Sequence, residues 1–163
     1  MSLSYQAQDL GALADSLKVN HYPAPSLDHN LQSAAFIADL INTATESGEY
    51  PALKARFPKG APLSVESLFS GVRSNGALAF KPRSLTECLV FVTTSDQIHV
   101  AGQRYRMRKH TKSQVGLYSK GRVYSFNQAH QSVVCESREQ FVKRCSAAYG
   151  RTGASVNFYY GRL

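Results

Sequence analysis

Apolar residues change their spacing part-way along this chain. Through residue 72 they recur three and four apart, the period of a helix; from residue 85 they run together or alternate, the pattern of strands. Leu10, Leu13 and Leu17 predict a short helix within residues 1–19, with Asp9 near its start and Gly11 as its weak point. HYPAPS, residues 21–26, reads as a linker, because Pro23 and Pro25 hold their predecessors extended. Residues 26–47 carry the strongest helical stripe: Leu27, Leu31, Ala34, Ala38 and Ile41, widened by Ala35, Ile37 and Leu40. Ser26 suits the N-cap, Asp28 the first turn and Gly48 the stop. Residues 50–57 predict one or two helical turns opening at Pro51, and 58–62 a break. Ser64 can cap a short helix with Val65 and Leu68 inward and Gly71 near its end. Residues 74–84, with Asn75-Gly76 and Lys81-Pro82, predict a loop.

In the second half, ECLVFVTT (residues 87–94) is an apolar run bounded by loop residues, which predicts a buried central strand. Ser95-Asp96 reads as a turn. Residues 97–109 predict one long strand, or two strands bent at Ala101-Gly102. Residues 115–118 and 122–126 form a predicted hairpin across 119–121, where Gly121 supplies positive φ. A strand over 131–135 follows. Ser137 and Gln140 then fit a capping box that starts a helix with Phe141, Val142, Cys145 and Ala148 inward, with Arg138, Lys143 and Arg144 outside, closed by Gly150. Residues 154–160 read as a last strand. The fold class is α+β: a helical N-terminal half, and a mostly antiparallel small sheet or barrel in the C-terminal half with one covering helix. The domain expectation is an N-terminal arm or short helix with its Pro linker over 1–25, then a single α+β domain over 26–163.

Composition changes this picture little: 163 residues, 43% hydrophobic and 18% charged, suit a domain with a real core. Charge changes it more. The net charge of +8 is unevenly spread. Residues 1–60 carry four Lys/Arg against six Asp/Glu, whereas 101–163 carry twelve Lys/Arg against only Glu136 and Glu139. That asymmetry points to an anionic partner for the last third of the chain.

The basic residues concentrate in QIHVAGQRYRMRKHTKSQVGLYSKGRVYSF, residues 97–126. Strand alternation would set Arg104, Arg106 and Arg108 in one row, with Tyr105 and Met107 facing the other way. Lys109, Lys112, Lys120 and Arg122 would extend the track, and no Asp or Glu occurs between residues 97 and 135. A row of fixed cations on a rigid strand suits nucleic-acid phosphate, DNA or RNA. Tyr118 and Tyr124 would stack on bases if both faced the same side. No residue pattern encodes base readout, so contact to phosphate without sequence specificity is expected.

Within this stretch I-H-V-A-G-Q-R-Y, then G-R-V-Y-S-F and S-V-V-C, are similar to the small β-barrel that follows the catalytic core in retroviral-type transposases. The resemblance covers at most residues 97–135 and implies a small basic barrel or curved sheet. The carboxylate triad of those enzymes has no counterpart in this sequence.

Two other function classes remain open at this point. The 26–47 helix and the Pro-linked segment before it are candidate assembly surfaces. They would suit a virus-particle component, an inhibitor or a protein–protein interaction module, with homo-oligomer contact through that helix and the basic face on an acidic protein surface. A metal-independent ribonuclease would need a general acid and base near neutral pH, and His99 and His110, with Arg106 or Lys112 and with His130 nearby in sequence, are the candidates. Cys88, Cys135 and Cys145 form no C-x-x-C pair, which argues against a disulfide framework or a zinc site. Cys88 and Cys145 lie in apolar settings that do not favour a thiolate nucleophile. No cofactor or nucleotide motif is present, no catalytic residue is assigned, and no metal site is expected. MSLSYQAQDL lacks the basic and apolar regions of a signal peptide, and no apolar run approaches the ~20 residues of a spanning helix, so a cytoplasmic protein without membrane contact is expected.

Overall fold

The computed structural model of the protein describes residues 9–22, 29–48, 64–74, 87–101, 103–150 and 155–162, with the side chains of 29, 73–74, 96–100 and 103–113 outside that description. In chain order the elements are α1 (Leu10–Leu17), α2 (His29–Glu46), α3 (Val65–Ser74), β1 (Cys88–Val100), β2 (Gln103–Ser119), β3 (Arg122–Asn127), β4 (Ser132–Ser137), α4 (Arg138–Tyr149) and β5 (Ser155–Arg162). The class is α+β. The expectations for Ser26, Leu27 and Asp28, for residues 23–26, 50–57 and 58–62, and for the loop beyond Ser74 fall outside the described residues.

The five strands form one antiparallel sheet in the order β4-β3-β2-β1-β5. It is open, with β4 and β5 at its edges, so the barrel alternative does not apply. Alternation along each strand divides the sheet's residues between two cores. Leu89, Phe91, Val115, Leu117, Tyr124 and Val133 join Leu10 and Ala14 of α1, Phe36, Ile37 and Leu40 of α2, and Val65, Leu68 and Val72 of α3. Cys88, Val90, Val92, Tyr118, Val123 and Tyr160 pack on the other face, with Phe141 and Cys145 of α4. A central strand covered on both faces must be apolar at every position, which is the physical reason for the unbroken run in β1. The chain leaves β4 at one edge and re-enters at β5 on the other, and α4 is the connection that spans the second face between them.

The starts of α1 and α4 are built as their sequence suggests, with one addition. Asp9 is the N-cap of α1 and accepts from Ala12 N–H at 2.7 Å. Ser137 and Gln140 form the capping box of α4. The addition is Glu87, which receives Leu10 N–H at 3.3 Å, Gly11 N–H at 3.0 Å and the Ser119 hydroxyl at 2.8 Å. One carboxylate thus ties the start of α1 to the end of β2. A Cβ on Gly11 would lie 2.7 Å from Ser119 Oγ, so the residue that weakens α1 as a helix is what lets it approach the sheet. Tyr22 donates to Asp39 Oδ2 at 2.6 Å and to Leu17 O at 3.2 Å, closing the other end of α1 against α2. Ala34, Ile37, Leu40 and Ile41 of the α2 stripe are buried in the core with α1, α3 and the sheet. On α4 the inward set is Phe141 and Cys145, with Val142 and Tyr149 half-buried against the same core; Ala148 is exposed, since the helical stripe continues to Tyr149 instead.

The largest departure from the sequence reading lies between β1 and β2. Ser95-Asp96 is not a turn; β1 runs straight through it with a shift of register. The chain instead reverses after Val100, which pairs with Gln103. Ala101, in the two-residue connection, has φ 52°, the sign that a type I′ hairpin turn requires. The long strand expected over 97–109 is therefore the tip of a hairpin. The second hairpin turn has the same form, with φ 51° at Lys120 and 80° at Gly121.

Candidate nucleic-acid interface

The two longest strands of the sheet do not end where their neighbours end. β5 pairs with β1 from Cys88 to Ser95 and no further. β3 pairs with β2 only from Leu117 to Ser119. Beyond those limits β1 and β2 pair with each other alone among the described residues, up to Val100 opposite Gln103. The outcome is a two-stranded ribbon that leaves the sheet. From Asp96 to Val100 it extends about 17 Å, at about 3.4 Å per residue.

Pairing shows which ribbon residues share a face. Gln97 stands opposite Arg106 and His99 opposite Arg104, and these belong to one face; Ile98 opposite Tyr105 and Val100 opposite Gln103 belong to the other. The register then shifts between Ser95 and Gln97, where the single residue Asp96 spans Met107, Arg108 and Lys109. A bulge interrupts alternation. Arg104 and Arg106 therefore share a face by their pairing, and Arg108 belongs to the bulge instead of extending their row. Lys112 stands opposite Thr93 and His110 opposite Ser95, nearer the body of the sheet. The side-chain positions of Arg104, Arg106, Arg108, Lys109, Lys112, His99 and His110 lie outside the described part of the structure.

Lys120 and Arg122 do not continue this track. They flank the turn at the far end of β2, about 50 Å of strand away from Arg104. Lys120 Nζ is 2.8 Å from Asp9 Oδ2. This hydrogen bond, with that from Ala12 N–H, holds the Asp9 carboxyl below its usual range, and the same carboxylate raises the Lys120 ammonium. Arg122 is exposed at the start of β3, opposite Ser119 and Ser137.

Tyr118 and Tyr124 do not make a stacking platform. They are 4% and 8% exposed and belong to the cores on opposite faces of the sheet, Tyr118 beside Tyr160 and Tyr124 beside α2. One residue's difference in position along paired strands suffices to separate them.

Two of the three basic residues of α4, Arg138 and Arg144, serve the fold, and Lys143 is exposed. Arg144 forms an ion pair with Glu136 at 2.6 Å and donates to Ser125 Oγ at 3.0 Å. Arg138 Nε donates to the Tyr160 hydroxyl at 2.9 Å, and its guanidinium lies over that ring.

The other chemistries gain no geometry. His110 is level with Ser95, and His99 sits four positions further out, about 14 Å along the ribbon. His130 is on the exposed β3–β4 turn. Burial raises the Cys88 and Cys145 thiols to about 12, which keeps them protonated at neutral pH. Cys135 is half-buried and lines an open cleft of about 580 Å³ with Lys18, His21, Gln131 and Val133. No group of three His, Cys, Asp or Glu side chains among the described residues is placed to hold a metal ion. No helix among them is long and apolar enough to cross a membrane.

Sequence reasoning allowed a bend at Ala101-Gly102 but placed the chain reversal at Ser95-Asp96, and so did not give the ribbon. The signal was present: Ala101-Gly102 sits midway between two β-patterned segments, and small residues there permit positive φ. Comparison with protein-family models, with curated proteins and with solved structures gives no match to this chain.

Proposed function

We propose that this protein binds nucleic acid through the β1–β2 ribbon, as a non-catalytic accessory protein that contacts phosphate. The observation that carries this reading is the ribbon's departure from the sheet with five basic residues on it or at its base: Arg104, Arg106, Arg108, Lys109 and Lys112. Asp96 is the only carboxylate residue between Cys88 and Cys135, so the local charge stays strongly positive. A body anchored by two cores supports the ribbon, and cations held on such a support lose little entropy when they meet a polyanion.

Fluorescence anisotropy with a labelled 30-nucleotide probe, between 50 and 200 mM salt, tests this. The wild type is expected to bind at 50 mM salt. With up to about five phosphates neutralised, log K falls against log salt with a slope no steeper than about −4.5 on a duplex. Arg104→Glu with Arg106→Glu removes binding while the far-UV circular dichroism and the thermal midpoint stay those of the wild type. No binding by the wild type at 50 mM salt, or undiminished binding by the double variant, overturns the proposal. A complex formed only with acidic polypeptide would transfer the ribbon to a protein partner.

A further inference from the structure

Resting on that reading, we infer that the ligand is double-stranded DNA and that the ribbon enters its major groove. Four observations lead there.

The first is shape. The B-form major groove, about 12 Å wide and about 8.5 Å deep, admits a two-stranded β-ribbon. The free part of this ribbon, about 17 Å long, is enough to reach the groove floor while the sheet stays outside the phosphates. The second is the tip. A two-residue connection at Ala101 leaves no broad loop to obstruct entry.

The third is the distribution of residue types. The pairs Gln97–Arg106 and His99–Arg104 place four hydrogen-bonding residues on one face, and the mostly apolar set Ile98, Val100 and Tyr105, with Gln103 at the tip, falls on the other. Arg is the side chain that pairs bidentately with guanine O6 and N7, and Gln with adenine N6 and N7. The sequence alone gave no sign of base readout; the register supplies a face composed of the residue types that perform it. Arg108 and Lys109, at the bulge where the ribbon joins the sheet, are placed nearer the groove's rim, where phosphates lie.

The fourth concerns the competing ligands. Single strands are held by successive stacked aromatic side chains, whereas Tyr118 and Tyr124 are buried on opposite faces and Tyr105 is the one Phe, Tyr or Trp in residues 96–110. Double-stranded RNA has a deep, narrow major groove that excludes an element of this width.

The experiment compares four probes of one sequence at 100 mM salt: duplex DNA, the same duplex with glucosylated 5-hydroxymethylcytosine filling the major groove, duplex RNA and single-stranded DNA. Duplex DNA is expected to bind at least tenfold tighter than each of the others. A shortened protein, lacking residues 98–105 and closing Gln97 to Arg106 through Asn-Gly, is expected to lose that preference while its thermal midpoint stays close to the wild-type value. Equal affinity for all four probes, or tighter binding to single strands or RNA, overturns the groove assignment and leaves the nucleic-acid reading standing. An unchanged preference in the shortened protein likewise overturns it. Binding to none of the four overturns both.

Discussion

Glu87 is where the structure makes its sharpest quantitative demand. Its carboxylate accepts Leu10 N–H at 3.3 Å, Gly11 N–H at 3.0 Å and the Ser119 hydroxyl at 2.8 Å. Two of these donors are orphan amides at the N-terminus of α1, where a negative charge also meets the positive end of the helix. Glu87→Ala removes all three acceptor contacts and leaves Gly11 N–H half-buried without its partner. Hydrogen bonds to a charged group contribute about 1.5–3 kcal/mol each, less where water reaches them. Counting the two shorter bonds at the low end, and the long one as negligible, gives a loss of about 2–3 kcal/mol. Glu87→Gln keeps one acceptor oxygen and is expected to lose about 1 kcal/mol. At a urea dependence of about 2 kcal/mol per molar, the alanine variant's midpoint falls by about 1–1.5 M and the glutamine variant's by about 0.5 M. Hydrogen exchange should show the added opening in α1 first, because the carboxylate holds that helix to β2. A midpoint shift below about 0.25 M for Glu87→Ala, with α1 amides as protected as before, would refute the argument that this one side chain joins the N-terminal helix to the sheet.

Two more predictions concern packing and thiol chemistry. A Cβ on Gly161 would occupy the place of the Val72 Cγ1 methyl, so Gly161→Ala must push α3 off β5; it is expected to cost about 1–3 kcal/mol, and a thermal midpoint within about 1 °C of wild type would contradict the close approach. Cys88 and Cys145 are fully buried with thiols raised to about 12, whereas Cys135 is half-buried beside the cleft. Ellman's reagent should therefore modify a single thiol per native chain at pH 8, identified as Cys135 by peptide mass, and all three after denaturation; a second fast-reacting thiol in the native protein would contradict the burial.

The parts of the fold that could be read from the sequence are those set by local chemistry. The Leu10–Leu13–Leu17 spacing, the Ser137 capping box and the Lys120-Gly121 turn each depend on residues within a few positions of one another, and each is present. The doubly apolar run of β1 could be read for the same reason: every position had to be buried, and only a central strand covered on both faces does that. What could not be read depends on residues far apart. Glu87 lies 76 positions from Gly11 and 32 from Ser119, so no local pattern marks it as a helix cap. Gly11 looked like a defect because helix propensity counts only the helix, and the close approach of β2 that requires it is a tertiary fact. The wide stripe of α2 likewise does not name its partner, and that Ala34, Ile37, Leu40 and Ile41 pack with α1, α3 and the sheet is a tertiary fact too.

The candidate interface divides along the same line, and its division decides what the basic residues can do. Composition singled out the region as a candidate, because charge segregation does not depend on where the strands and turns fall. The row of Arg104, Arg106 and Arg108 loses Arg108 to the bulge, and Lys120 and Arg122 lie at the far end of β2, too distant to extend it. The bulge opposite Asp96 and the turn at Lys120 divide these cations into separate groups. Lys120 is paired with Asp9. Arg104 and Arg106 share a face near the tip, and Arg108 and Lys109 sit at the bulge where the ribbon meets the sheet. Charge spread along one flat face would favour any polyanion laid across it. Charge divided between the base and the tip of a narrow projection favours a ligand with a recess, phosphate at its rim and hydrogen-bonding edges at its floor, and the DNA major groove has that arrangement.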